Sequence, residues 1–123
     1  MKILVVDDSN FVKSLVGKTL RINIPSLELL LASNGIEGYN LYRTEKPDLI
    51  ITDLLMPEMN GWELLKLIRE EDLKVKIIVF SANVQKAIRD EIEKFGITAF
   101  IHKPFNNEKA EQLINIVKEN FNA

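Results

Sequence analysis

The chain has 123 residues, 46% of them hydrophobic and 28% charged, with no cysteine and a formal net charge of −2. That is the composition of one folded globular domain, and it excludes intrinsic disorder, a disulfide framework and thiolate metal sites. The slight negative charge gives no general attraction to nucleic acid or anionic membrane, and the apolar run at 3–6 is too short for a signal peptide or a membrane span.

Residues 2–6 (KILVV) form a β-branched and Leu run that ends in Asp7-Asp8, the pattern of a strand buried on both faces. Asp8 or Ser9 can cap the helix that follows, in which Phe11, Val12, Leu15, Val16 and Leu20 recur at helical spacing. Pro25 forbids its continuation. A second strand is predicted at 27–32, a turn at Asn34-Gly35, and a helix over 36–43 that Lys46-Pro47 ends. The third strand is 49–52. Its loop leads through Pro57 to a helix over 61–71 with Leu64, Leu65 and Ile68 on one face. The fourth strand is 75–80, followed by Ser81. Asn83 is the expected cap of a helix that turns Val84, Ile88, Ile92 and Phe95 inward, with Gly96 as its stop. The fifth strand is 97–101. Asn106 or Asn107 then caps a last helix striped by Ala110, Leu113, Ile114, Val117 and Phe121. Strand and helix alternate five times. The expected fold is therefore α/β, a doubly wound parallel sheet with right-handed crossovers, as one domain over 1–123 without a second, output domain. The absence of cysteine suits a reducing compartment, and the chain reads as cytoplasmic.

Doubly wound sheets place their sites at the carboxyl ends of the strands. Asp7 and Asp8 follow the first strand, Asp53 the third, Ser81 the fourth and Lys103 the fifth. Three carboxylates at one edge need a cation, since two like charges about 4 Å apart repel by roughly 4 kcal/mol even at an effective dielectric of 20. Hard carboxylate oxygens suit Mg²⁺. With Lys103 the formal charges of such a site cancel, so it can admit a phosphoryl group. An Asp carboxylate can then attack phosphorus and form an acyl phosphate. Taken singly, the same residues have plainer readings: Asp7-Asp8 as a helix cap, Phe100 as permanent core, and His102 as an exposed strand-end residue.

The stretches VVDDS at 5–9, TDLLMPEMNGWELL at 52–65, FSA at 80–82 and HKPF at 102–105 resemble the receiver domain of two-component response regulators, and most of all the stand-alone, chemotaxis-type receivers. The resemblance implies a flavodoxin-like (βα)5 sheet in the order 2-1-3-4-5. It implies that Asp53 is the phosphoacceptor and that Asp7, Asp8 and Asp53 hold Mg²⁺ with the backbone carbonyl of Leu55. Ser81 and Lys103 would bind the phosphoryl group, Phe100 would be the switch aromatic, and the peptide before Pro104 would be cis. A sensor histidine kinase would be the donor. A downstream protein would bind the face of helix 4, strand 5 and helix 5, with neither nucleic acid nor membrane as partner and the chain a monomer. The alternative within this class is a relay intermediate that passes the phosphoryl group on.

Two other functions fit less well. A flavin or nucleotide carrier needs a Gly-, Ser- or Thr-rich phosphate cradle after the first strand, where this chain has DDSNF. A Mg²⁺-dependent phosphohydrolase wants a general acid two residues after its nucleophile, where this chain has Leu55. The chain is therefore expected to catalyse only its own phosphorylation and dephosphorylation.

Overall fold

The five apolar runs pair as parallel strands: β1 (Lys2–Val6), β2 (Glu28–Ala32), β3 (Leu49–Thr52), β4 (Lys76–Ser81) and β5 (Ala99–His102). They lie in the order β2-β1-β3-β4-β5, as expected. The structure is a computed structural model that describes residues 1–56, 58–82 and 85–121. Between and after the strands run α1 (Asn10–Asn23), α2 (Gly35–Glu45), α3 (Gly61–Glu71), α4 (Lys86–Glu93) and α5 (Asn107–Phe121). Pro57, the expected cap at Asn83 and the inward Val84 lie outside the described residues. No helix among the described residues is long and apolar enough to cross a membrane.

Side chains alternate across a strand, so each run feeds two cores. Ile3, Val5, Leu49, Ile51, Ile78, Phe80 and Ile101 pack against Val16 and Leu20 of α1 and Leu113, Ile114 and Val117 of α5. Leu4, Val6, Ile50, Ile77, Val79 and Phe100 face the other way, onto Leu64, Leu65 and Ile68 of α3 and Ile92 of α4. Each fully buried Ile or Leu contributes about 1.5–3 kcal/mol. The strands are therefore held from both sides, and their ends make a rigid platform.

The helix starts are set by side chains that accept otherwise unmatched amides. Ser9 caps α1 through Val12, Asn34 caps α2 through Glu37, Asn60 caps α3 through Glu63, and Asn106 caps α5 through Lys109. Gln85, which precedes α4, gives it no side-chain cap. Gly96, at φ 70°, follows its end and donates its amide to the Glu93 carbonyl.

Two expected core residues are exposed. Phe11 is 72% exposed. It lies next to Val12 in sequence and so about 100° around the helix from it, in the first turn of α1. The buried stripe there runs through Val16 and Leu20 instead. Ile88 is 42% exposed while Ile92 is fully buried. Helix α4 is short, and Ile92 is its buried residue.

Candidate functional site

The sheet ladder delivers two carboxylates to adjacent strand ends. The Asp53 amide donates to the Val6 carbonyl at 3.0 Å, and the Asp7 amide to the Ala32 carbonyl at 3.0 Å. Asp7 and Asp53 are buried, Asp8 beside them is exposed, and one oxygen from each of the three lies within 4.8 Å of the others. Such a cluster of hard oxygen donors fits Mg²⁺.

Ser81, fully buried at the end of β4, donates its hydroxyl to Asp53 Oδ1 at 2.6 Å. The amides of Leu54 and Leu55 also donate to Oδ1, at 2.7 and 3.2 Å. Lys103 Nζ lies 2.9 Å from Asp53 Oδ2 and 2.9 Å from Asp7 Oδ2. Its own amide donates to the Ser81 carbonyl at 2.8 Å, which fixes the lysine against the end of β4. The Lys103–Pro104 peptide is cis. The five polar residues that the sequence sent to this edge thus stand together, four of them around Asp53.

Burial pushes the Asp7 carboxyl up from its ordinary value, against the lowering pull of the Ser9 amide and the Lys103 ammonium. For Lys103 burial is again the largest single cause and favours the neutral amine. The hydrogen bonds and charges of Asp53 and Asp7 together outweigh it and hold the ammonium above its ordinary value. Lys103 therefore stays charged while it bridges two buried acids.

The loop after Asp53 depends on a close approach. A Cβ at Gly61 would fall 2.0 Å from the Asp53 carbonyl oxygen and 2.8 Å from Leu54 Cα. The Gly61 amide donates to the Leu54 carbonyl at 3.1 Å. Only a hydrogen fits on Gly61, so the start of α3 presses directly on the main chain that aims the Leu54 and Leu55 amides. The Leu55 side chain is 62% exposed at the rim.

Phe100 lies one strand away, 9% exposed, within the core on the α3 and α4 side. The Arg89 guanidinium of α4 sits 4.3 Å from the centre of its ring, and the His102 ring packs at 4.7 Å. His102 is exposed, and Arg89 Nη1 lies 3.3 Å from its Nε2. Reasoning from sequence missed two contributors. The Leu54 and Leu55 amides carry no mark in the sequence, because every non-proline residue has one. Arg89 reads as one more cation on a charged helix face, and only the packing of α4 against β5 shows what it covers.

Comparison with known proteins points the same way. Residues 3–116 match the family described as the response regulator receiver domain. The chain is 36% identical over 119 residues to the chemotaxis protein CheY of Thermotoga maritima, covering 96% of this chain and 98% of that one. It is 34% identical to the chemotaxis protein CheY of Bacillus subtilis, covering 93% of this chain and 94% of that one. Among solved structures, the chemotaxis response regulator CheY4 of Vibrio cholerae superposes with a TM-score of 0.82 at 29% identity, covering 94% of this chain and 97% of that one. With the family model matched over residues 3–116 and these relatives matched over nearly their full length, the chain belongs to the response regulator receiver domain family.

Proposed function

We propose that the chain is a phosphorylation-driven signalling switch in which Asp53 takes a phosphoryl group from a phosphohistidine of a sensor histidine kinase. The observation that carries this reading is the grip on the Asp53 carboxylate. Oδ1 is held by Ser81 and by two main-chain amides, and Oδ2 by Lys103. A carboxylate oxygen attacks phosphorus, the new O–P bond forms, and the P–N bond to the donor breaks with its electron pair leaving on the imidazole nitrogen. Asp7, Asp8, Asp53 and the Leu55 backbone carbonyl would hold Mg²⁺. When bound, the ion neutralises charge on the phosphoryl oxygens. Lys103 and Ser81 hold the carboxylate in place before transfer and afterwards donate to the phosphoryl oxygens. Leu55 supplies no proton, so the protein processes only its own phosphoryl group and does not turn over external substrates.

The output is binding to another protein. Similarity over nearly the full length of chemotaxis CheY proteins supports that reading and a role in chemotaxis. The switch draws Ser81 toward the new dianion and lets Phe100 settle beside it, altering the face of α4, β5 and α5 that a downstream target reads. Moving an active-to-inactive ratio from 1:99 to 99:1 takes about 5.5 kcal/mol, and charge-assisted hydrogen bonds of roughly 1.5–3 kcal/mol each reach that total. Phe100 has no hydroxyl, so this switch works by ring packing and the release of Arg89, not by a tyrosine hydrogen bond. We place the protein in the cytoplasm as a monomer.

The test is intact mass after incubation with Mg²⁺ and a small phosphodonor. The chain gains one phosphoryl group, and Asp53→Asn gains none. No gain by the chain itself, or equal gain by the variant, overturns the assignment. A second expectation concerns lifetime. The aliphatic Leu55 at the rim limits the approach of water to the acyl phosphate, so Leu55→Asn dephosphorylates faster, by about threefold or more. An unchanged or slower rate, followed by loss of the phosphorylated mass, would contradict this.

A further inference from the structure

We propose that the groove between α1 and the open edge of β2 docks an extended, acidic and apolar segment of another protein, which joins the sheet as an added strand. Strand β2 pairs with β1 alone. The Glu28 amide donates to the Met1 carbonyl, and the Ala32 carbonyl accepts from the Asp7 amide. Strand alternation therefore turns the N–H and C=O groups of Leu29 and Leu31 outward, away from β1. Proteins blunt such edges with charge, proline or bulges. This strand reads ELLLA, with its single charge at the first position, and Leu31 is 46% exposed.

The groove beside that edge has a volume of about 410 Å³. Its apolar lining is Leu29, Leu31 and Ile22, the last 71% exposed. Its charged lining is Lys13, Lys18 and Arg21, with no carboxylate. Lys13 is 6% exposed and donates to the Ser33 hydroxyl. Among the described residues Lys13 makes no ion pair. A buried ammonium with one neutral acceptor is electrostatically undersupplied. Three cations in one groove also invert the sign of a chain whose net charge is −2.

Charge decides the occupant. A second copy paired edge to edge through β2 would set the cations of one groove against those of the other, and like charges about 4 Å apart repel by roughly 4 kcal/mol at an effective dielectric of 20. A different chain with acidic side chains on one face satisfies the cations instead. Its main chain meets the outward groups of Leu29 and Leu31, and its apolar side chains cover the floor, the usual logic of strand addition. An apolar floor beside open main-chain donors and acceptors suits a peptide better than a nucleic acid backbone.

The test is nuclear magnetic resonance of the ¹⁵N-labelled full chain, titrated with a capped heptapeptide of alternating Glu and Val. Saturable shifts are expected at Leu29, Leu31 and the groove side of α1. The Leu29 and Leu31 amide hydrogens should exchange at least about tenfold more slowly in the complex, a signature of strand pairing that surface adsorption does not give. The exposed double variant K18E/R21E weakens binding about tenfold or more and leaves Mg²⁺-dependent phosphorylation by a small donor unchanged. A capped peptide of alternating Lys and Val does not bind. The proposal is overturned by absence of saturable shifts at these residues, by equal binding of the Lys and Val peptide, by dimerisation through β2 without peptide, or by the same shifts produced more strongly by a ten-nucleotide oligothymidylate.

Discussion

Lys103→Met is expected to destabilise the Mg²⁺-free protein by about 3 kcal/mol, the lower end of the range for breaking a buried ion pair from one side. The lower end applies because the Lys103 side chain keeps 19% of its exposure, whereas those of Asp7 and Asp53 keep 2% and 6%. The methionine fills the same channel but leaves three carboxylates without a cation. At about 4 °C per kcal/mol for a domain of this size, the melting temperature falls by roughly 12 °C. Mg²⁺ affinity moves the other way. With the competing ammonium gone, the cluster binds the ion about tenfold or more tightly, and saturating Mg²⁺ restores a larger share of stability than it adds to the unaltered chain. Thermal melts with and without Mg²⁺, together with calorimetric titration, read both effects. An identical Mg²⁺ response in the two proteins would show that Lys103 and the ion do not share the acids.

The second large effect belongs to a residue with no functional group. Gly61→Ala puts a methyl 2.0 Å from the Asp53 carbonyl oxygen, a distance no Cβ contact tolerates. The neighbours are main chain and cannot swing aside, so either α3 or the Asp53 loop must shift. Overpacking of this kind costs about 3 kcal/mol or more. Loss of the Leu54 and Leu55 amides from Oδ1 follows, and phosphorylation by a small donor slows by about tenfold or more. Denaturant unfolding and the rate of mass gain measure the two separately. Stability within 1 kcal/mol of the unaltered chain, with an unchanged rate, would mean that the loop is not set by this contact.

The meeting of Asp7, Asp53, Ser81 and Lys103 at one sheet edge was legible in the sequence because it depends on topology. Once five apolar runs alternate with helices, the carboxyl end of each strand is a fixed place, and polar residues there must meet. Helix faces were less legible. Periodicity says which side of a helix is apolar, yet it does not say where the helix overhangs its sheet, and so Phe11 and Ile88 are exposed. Contacts that join distant main chain and side chain, such as Gly61 on Asp53 or Arg89 over Phe100, leave no periodic trace at all.

Lys103 also does something for the sheet as a whole. Its amide is tied to the end of β4, while its ammonium reaches the acids at the ends of β1 and β3. One residue thus laces four adjacent strands at a single edge. Strand ends are where sheets ordinarily fray, and fraying is what lets amide hydrogens exchange with water. Removing the lace should therefore loosen that edge first, and Asp7, Asp53 and Lys103 amides become built-in reporters of whether the edge is held. Their exchange rates follow the state of the site without any label being attached to it.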